Sequence, residues 1–101
     1  MPSMSRVAVV APIKWGSYQE AKRLVDRGPP FDPELTPLVR HEVFLTDTEI
    51  IFIFEGPGAS DVMGSLLADM SVWAQADEWR KHLAGRPRLA DDLFHWEREK
   101  A

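Results

Sequence analysis

"EIIFIFEGPG", Glu49 to Gly58, sets five apolar residues in a row, Ile50 to Phe54, between a polar start and a Gly-Pro-Gly turn. Alternate side chains of a strand point to opposite faces, so a strand here is apolar on both sides. Ile50, Phe52 and Phe54 point one way, Ile51 and Ile53 the other. "RVAVVAP", Arg6 to Pro12, repeats the pattern, with Val7, Val9 and Ala11 opposed to Ala8 and Val10. A chain of 101 residues has one modest core with which to cover both sets.

Working outward, "VRHEVFLTDTEIIFIFEG" reads as two strands about a tight turn at Thr46-Asp47-Thr48. Val39, His41, Val43 and Leu45 share one face of the first arm, and Phe44 opposes them. Upstream, "IKWGSYQEAKRLVDRG" predicts a helix. Ser17 and Glu20 have capping-box spacing, Ala21, Leu24 and Val25 form the apolar stripe, and Gly28 is the stop. "PPFDPELTPL" predicts an ordered loop turning at Asp32-Pro33. Downstream, Ser60 or Asp61 suits an N-cap, and Val62, Leu66, Met70 and Trp73 recur at helical intervals. Trp79, His82 and Leu83 extend the stripe after a break near Ser71. "LFHWERE", Leu93 to Glu99, predicts a final strand, with Leu93 and His95 on one face and Phe94 and Trp96 on the other.

The expected order is β-α-β-β-α-β over a single domain, residues 1–101, of the α+β class. This is the ferredoxin-like, or split βαβ, arrangement, a four-stranded antiparallel sheet with both helices on one face. The other face is then bare. Four strands at ~4.8 Å spacing and about five residues at ~3.3 Å rise give roughly 500 Å² once side-chain relief is counted. Joining two such faces yields about 25 kcal/mol gross, above the ~4–15 kcal/mol lost in association. A two-fold homodimer is the simplest closure.

In length, element order and two-faced strands the chain resembles the dimeric α+β barrel superfamily, from "RVAVVAP" through "EVFLTDTEIIFIFEG" to "DLFHWERE". The resemblance implies two ferredoxin-like subunits packed sheet to sheet, with a pocket between sheet and helices. It also implies a range of functions, among them cofactor-independent monooxygenases, isomerase-like proteins, haem-degrading enzymes and ligand-sensing domains. Fold alone does not choose among these.

Composition narrows the field. An apolar share of 45% and a charged share of 28% are those of an ordinary globular protein. The net charge of -4, with no Lys/Arg cluster, argues against nucleic acid or an anionic membrane as partner. Cysteine is absent, which removes disulfides and thiolate chemistry. The N-terminal stretch lacks the features of a signal peptide, and no run nears the ~18 apolar residues that span a bilayer, so the expected location is the cytoplasm.

The candidate site residues follow from burial and aromaticity. His41, an imidazole among aliphatics, is the candidate general base or hydrogen-bond donor, or else a hydrogen-bonded core or interface histidine. Tyr18, Trp15, Trp73 and Trp79 are the aromatic supply for a ligand cavity, or core packing in the case of the helical pair Trp73 and Trp79. His82 stands where the resemblance would put a haem-ligating histidine, but Arg80 and Lys81 beside it suit the solvated end of a helix. "EGPGASD" lacks the third glycine of a dinucleotide loop and the lysine of a P-loop. His41, His82 and His95 show no metal-ligand spacing, and there is no nucleophile-elbow signature. The expectation is a homodimer binding a small apolar or aromatic molecule without a cofactor, as an oxygenase or isomerase or as a non-catalytic sensing or interaction module.

Overall fold

The computed structural model describes residues 4–28, 32–68 and 77–98. Along the chain run β1 (Met4–Pro12), α1 (Tyr18–Asp26), a 3-10 turn (Pro33–Leu35), β2 (Arg40–Leu45), β3 (Glu49–Pro57), α2 (Ala59–Ala68), a one-turn α3 (Asp77–Arg80) and β4 (Arg88–Asp91). The four strands form one antiparallel sheet in the order β2-β3-β1-β4. The protein is therefore of the α+β class.

Register decides which of the two apolar sets is covered. Val7 lies opposite Phe54, Val9 opposite Phe52 and Ala11 opposite Ile50. His41, Val43 and Leu45 continue the same rows onto β2, across from Phe54, Phe52 and Ile50. Paired residues of antiparallel strands share a face, so these nine belong together. Ala59 and Met63 of α2 close over Val7, Val9 and Phe54, with Leu38, Phe52 and Val62 at the margin. Val25 of α1, Trp79 and Leu83 pack over Ala11, Ile13 and Ile50. Ile50, with 0% of its surface exposed, lies at the centre of the second cluster. The helices thus occupy one face.

Local chemistry explains the ends of the elements. Beyond Pro12, Ile13 still bridges Leu83, and the Ala84 amide donates to the Pro12 carbonyl at 2.8 Å. Gly28 ends α1 in the left-handed region at φ 95°, its amide donating to Val25, where a side chain would be strained. The hairpin turn is held by Thr46, whose hydroxyl accepts from the Thr48 and Glu49 amides at 3.2 and 2.9 Å. Asp32 starts the 3-10 turn by accepting the Glu34 amide at 3.0 Å. The loop after it crosses β3 so closely that a Cβ on Gly56 would lie 2.9 Å from Leu38 Cα and 2.9 Å from the Pro37 carbonyl oxygen.

Three expectations need correction. β4 is Arg88–Asp91, not Leu93–Glu99; residues 92–98 have no regular structure, and Leu93 is 91% exposed. A strand forms where a partner edge is offered, and β1 offers Val7 to Val10 to the four residues after Pro87. Leu89 supplies the apolar contact, opposite Val9 and beneath α2 near Gly64, so the aromatic stretch that follows is not needed in the sheet. The capping box is absent too: Ser17 sits at the N-cap of α1 but makes no side-chain capping bond, and Glu20 turns to Arg23 instead. α2 begins at Ala59, with the Val62 amide bonding to the Gly58 carbonyl, rather than after a cap at Ser60 or Asp61. Met70, the break near Ser71 and Trp73 lie outside the described residues.

Candidate functional site

His41 is placed by β2 on the helix-bearing face, half-buried at the sheet's outer strand. Its ring stacks on Phe54, with centroids 4.6 Å apart and planes within 14°, and lies 6.4 Å from Phe52. Nδ1 is 3.2 Å from the Ile53 carbonyl oxygen. A carbonyl can only accept, so Nδ1 carries the proton of this bond. Trp79, from α3, meets Phe52 edge-on at 5.7 Å and 80°. Phe54, His41, Phe52 and Trp79 therefore form a continuous aromatic line across the inner face.

Two of the residues named from the sequence, His41 and Trp79, come together through Phe52. The others go elsewhere. Trp15 is 92% exposed in the turn before α1, and Tyr18 is exposed on the first turn of that helix. Trp73 lies outside the described residues. His82 faces Ser17, with Nδ1 3.3 Å from the hydroxyl.

The Ser17–His82 pair joins the start of α1 to the segment before β4, alongside a backbone bond from the Lys14 amide to the His82 carbonyl at 2.8 Å. Serine and histidine at this distance are the first two parts of a nucleophilic triad. Ser17, however, is only 8% exposed, so a substrate has little access to it. The pair works as a clasp. Nearby, the Arg23 guanidinium, hydrogen-bonded to Glu20 at 2.7 Å, holds the Glu20 carboxyl below the usual glutamate range, and Glu20 in turn raises Arg23.

An open cleft of about 450 Å³ lies at another end of the sheet, lined by Met4, Arg6, Glu55, Asp92 and His95 among others. His41, Tyr18, Trp15, Trp79 and His82 do not line it. Among the described residues, no group of histidine and carboxylate side chains has the placement to hold a metal ion, and no helix is long and apolar enough to cross a membrane.

Sequence reading missed the charge order of the sheet's outer face. Arg6 and Glu55 are cross-strand neighbours there, Arg40 flanks Glu55, and Asp92 pairs with Arg6 at 3.2 Å. The signal was the alternation of Arg6 with Ala8 and Val10, and of Arg40 and Glu42 with Phe44, but it needs the register to become a pattern. Comparison with protein-family models, with curated proteins and with solved structures finds no match to this chain.

Proposed function

We propose that this chain is a ferredoxin-like subunit of a sheet-to-sheet homodimer, a dimeric α+β barrel, that binds a small apolar or aromatic molecule against the line of Phe54, His41, Phe52 and Trp79. One observation carries it: α1 and α2 pack on one face of the sheet, while Ala8, Val10, Ile51, Ile53, Phe44 and Ala90 occupy the other with no described helix upon them. Phe44 is 51% exposed there. Connectivity supports the reading, since the link from β1 to β2 spans β3 and the link from β3 to β4 spans β1, each with a helix in it.

The apolar part of this face is smaller than the sequence estimate. It holds two rows of side chains across four strands, about 13 by 19 Å, or ~250–300 Å². Two copies recover about 12–15 kcal/mol at ~25 cal/mol per Å², comparable with the ~4–15 kcal/mol association cost. Apolar burial and association cost are thus close to balance, and polar contacts at the margin decide the stability of the dimer.

For the ligand, the half-buried rings of His41, Phe52 and Trp79 supply stacking surface, Phe54 being buried beneath α2, and His41 supplies a polar handle. If the molecule is turned over, His41 is the base or donor of a cofactor-independent oxygenation or isomerisation. A thermal-shift panel of small phenols, quinones, fatty acids and haem tests the binding. A ligand at 100 times its Kd raises stability by about 2.7 kcal/mol. His41→Phe, which keeps the stack but removes the nitrogens, is expected to abolish the shift of a hydrogen-bonding ligand. A flat response from wild type across the panel favours the non-catalytic interaction module instead.

A further inference from the structure

The outer face of the sheet is ordered in rows that run across the strands. The first row is Arg40, Glu55, Arg6, Asp92, read from β2 through β3 and β1 to the end of β4. The second is Glu42, Ile53, Ala8, Ala90, and the third is Phe44, Ile51, Val10, Arg88. One row is wholly charged and alternates in sign. The other two are apolar, with a carboxylate at the β2 edge of one and a guanidinium at the β4 edge of the other.

We infer that two copies of this chain meet through this face about a two-fold axis running along the strands, so that Arg40 of each copy faces Asp92 of the other and Glu55 faces Arg6. The inference rests on the dimer reading above and adds to it the orientation. An axis along the strands, lying midway between β3 and β1, lays each row on its own copy in reversed order. The charged row, plus-minus-plus-minus, becomes its own complement when reversed. The same operation sets Phe44 over the Arg88 guanidinium, a cation–π geometry, and Ile51 over Val10.

The alternative axis, across the strands, fails on charge. Centred on the charged row, it sets every charge against its own copy. Centred on the second row, it pairs Asp92 with Arg88 but lays Glu55 over Ile51 and Arg6 over Val10, burying charges on apolar partners, and sets Glu42 against its own copy. Centred between the apolar rows, it brings Glu55 against Glu49, which lies on the same face opposite Pro12. The axis along the strands, midway between β3 and β1, is the placement that gives every charge of the first row an opposite partner. Sheets pack with their strands about 30° apart, which displaces the outer strands by ~4 Å, within the reach of an arginine.

Arg40 and Asp92 lie at opposite edges of the sheet, so the two reversals do not meet within one chain, but Arg40→Glu stands beside Glu55 and Asp92→Lys loses the ion pair with Arg6, so the fold of each variant is checked by circular dichroism. The test uses full-length Arg40→Glu and Asp92→Lys chains in sedimentation velocity at about 20 mM salt, where screening is weak. Each variant alone opposes like charges twice, and its homodimer is expected to be at least about tenfold weaker than wild type. An equimolar mixture restores both pairs and is expected to return to wild-type association, as a heterodimer. If Asp92→Lys does not fold by circular dichroism, Arg40→Glu decides alone, with its loss of association abolished at 1 M salt. A wild-type dimer whose variants associate undiminished, or whose mixture stays monomeric, overturns the orientation and leaves the dimer standing. A wild-type chain that stays monomeric at hundreds of micromolar removes the dimer itself.

Discussion

Ile50 and Ile51 are chemically identical neighbours on opposite faces of β3, and truncating each to alanine weighs the two faces against each other. Ile50 is wholly buried between Ala11, Leu45 and the helices. Ile50→Ala loses the transfer energy of its removed carbons and leaves a cavity, about 3–4 kcal/mol together. At ~4–8 °C per kcal/mol for a domain near this size, the melting temperature falls by about 12–32 °C. Ile51 is half-buried on the outer face. In an isolated chain its truncation opens no enclosed cavity and forfeits about half the transfer term, roughly 1 kcal/mol. In a sheet-to-sheet dimer the same side chain lies under a second copy, and the cost rises toward that of Ile50. Differential scanning calorimetry at about 5 and 500 μM reads both states, because the melting temperature of an associating protein depends on concentration. The expected result is a large, concentration-independent loss for Ile50→Ala and a loss for Ile51→Ala that grows with concentration. Equal losses for the two at the lower concentration would refute the assignment of faces.

Three further outcomes follow from particular contacts. Gly56→Ala drives a Cβ to 2.9 Å from backbone atoms of Leu38 and Pro37, and the crossing loop must lift, at a cost of ~2–3 kcal/mol in urea denaturation. Ser17→Ala and His82→Ala each remove the clasp, for about 1 kcal/mol apiece, and a double-mutant cycle is expected to show that the double variant costs less than the sum. The Glu20 carboxyl is depressed by Arg23, so its contribution to stability is fully present above the unfolded glutamate pKa. It disappears as pH falls through the lower folded value. Both side chains are exposed, so Glu20→Gln is expected to flatten the acid limb of a pH–stability curve only slightly, and a steepened limb would contradict the assignment.

What could be read from the residues alone was the alternation. Val7, Val9 and Ala11 against Ala8 and Val10, and the isoleucines and phenylalanines of β3, give a two-faced sheet before any coordinate is seen, because the period of a strand is fixed. The hairpin about Thr46 to Thr48 was legible for the same reason. The last strand was not. Leu89 and Ala90 carry little β signal, and their place depends on an edge of β1 more than 75 positions away. The cap at Ser17 failed because His82, 65 positions away in sequence, takes up the hydroxyl. His41 was recognised as unusual, yet its tautomer and its stack on Phe54 come from register. Arg6, Glu55, Arg40 and Asp92 look scattered along the chain and become a line only across four strands.

β1 is made first but sits third in the sheet, and its two neighbours are β3 and β4. During synthesis it emerges with neither edge satisfied and gains its second partner only when Arg88 to Asp91 arrive. A nascent or proteolysed chain lacking those four residues presents the apolar ribbon of Val7 to Val10 with open amides and carbonyls, a template for strand addition by any neighbour. The shortest strand of the sheet is thus its gatekeeper against aggregation.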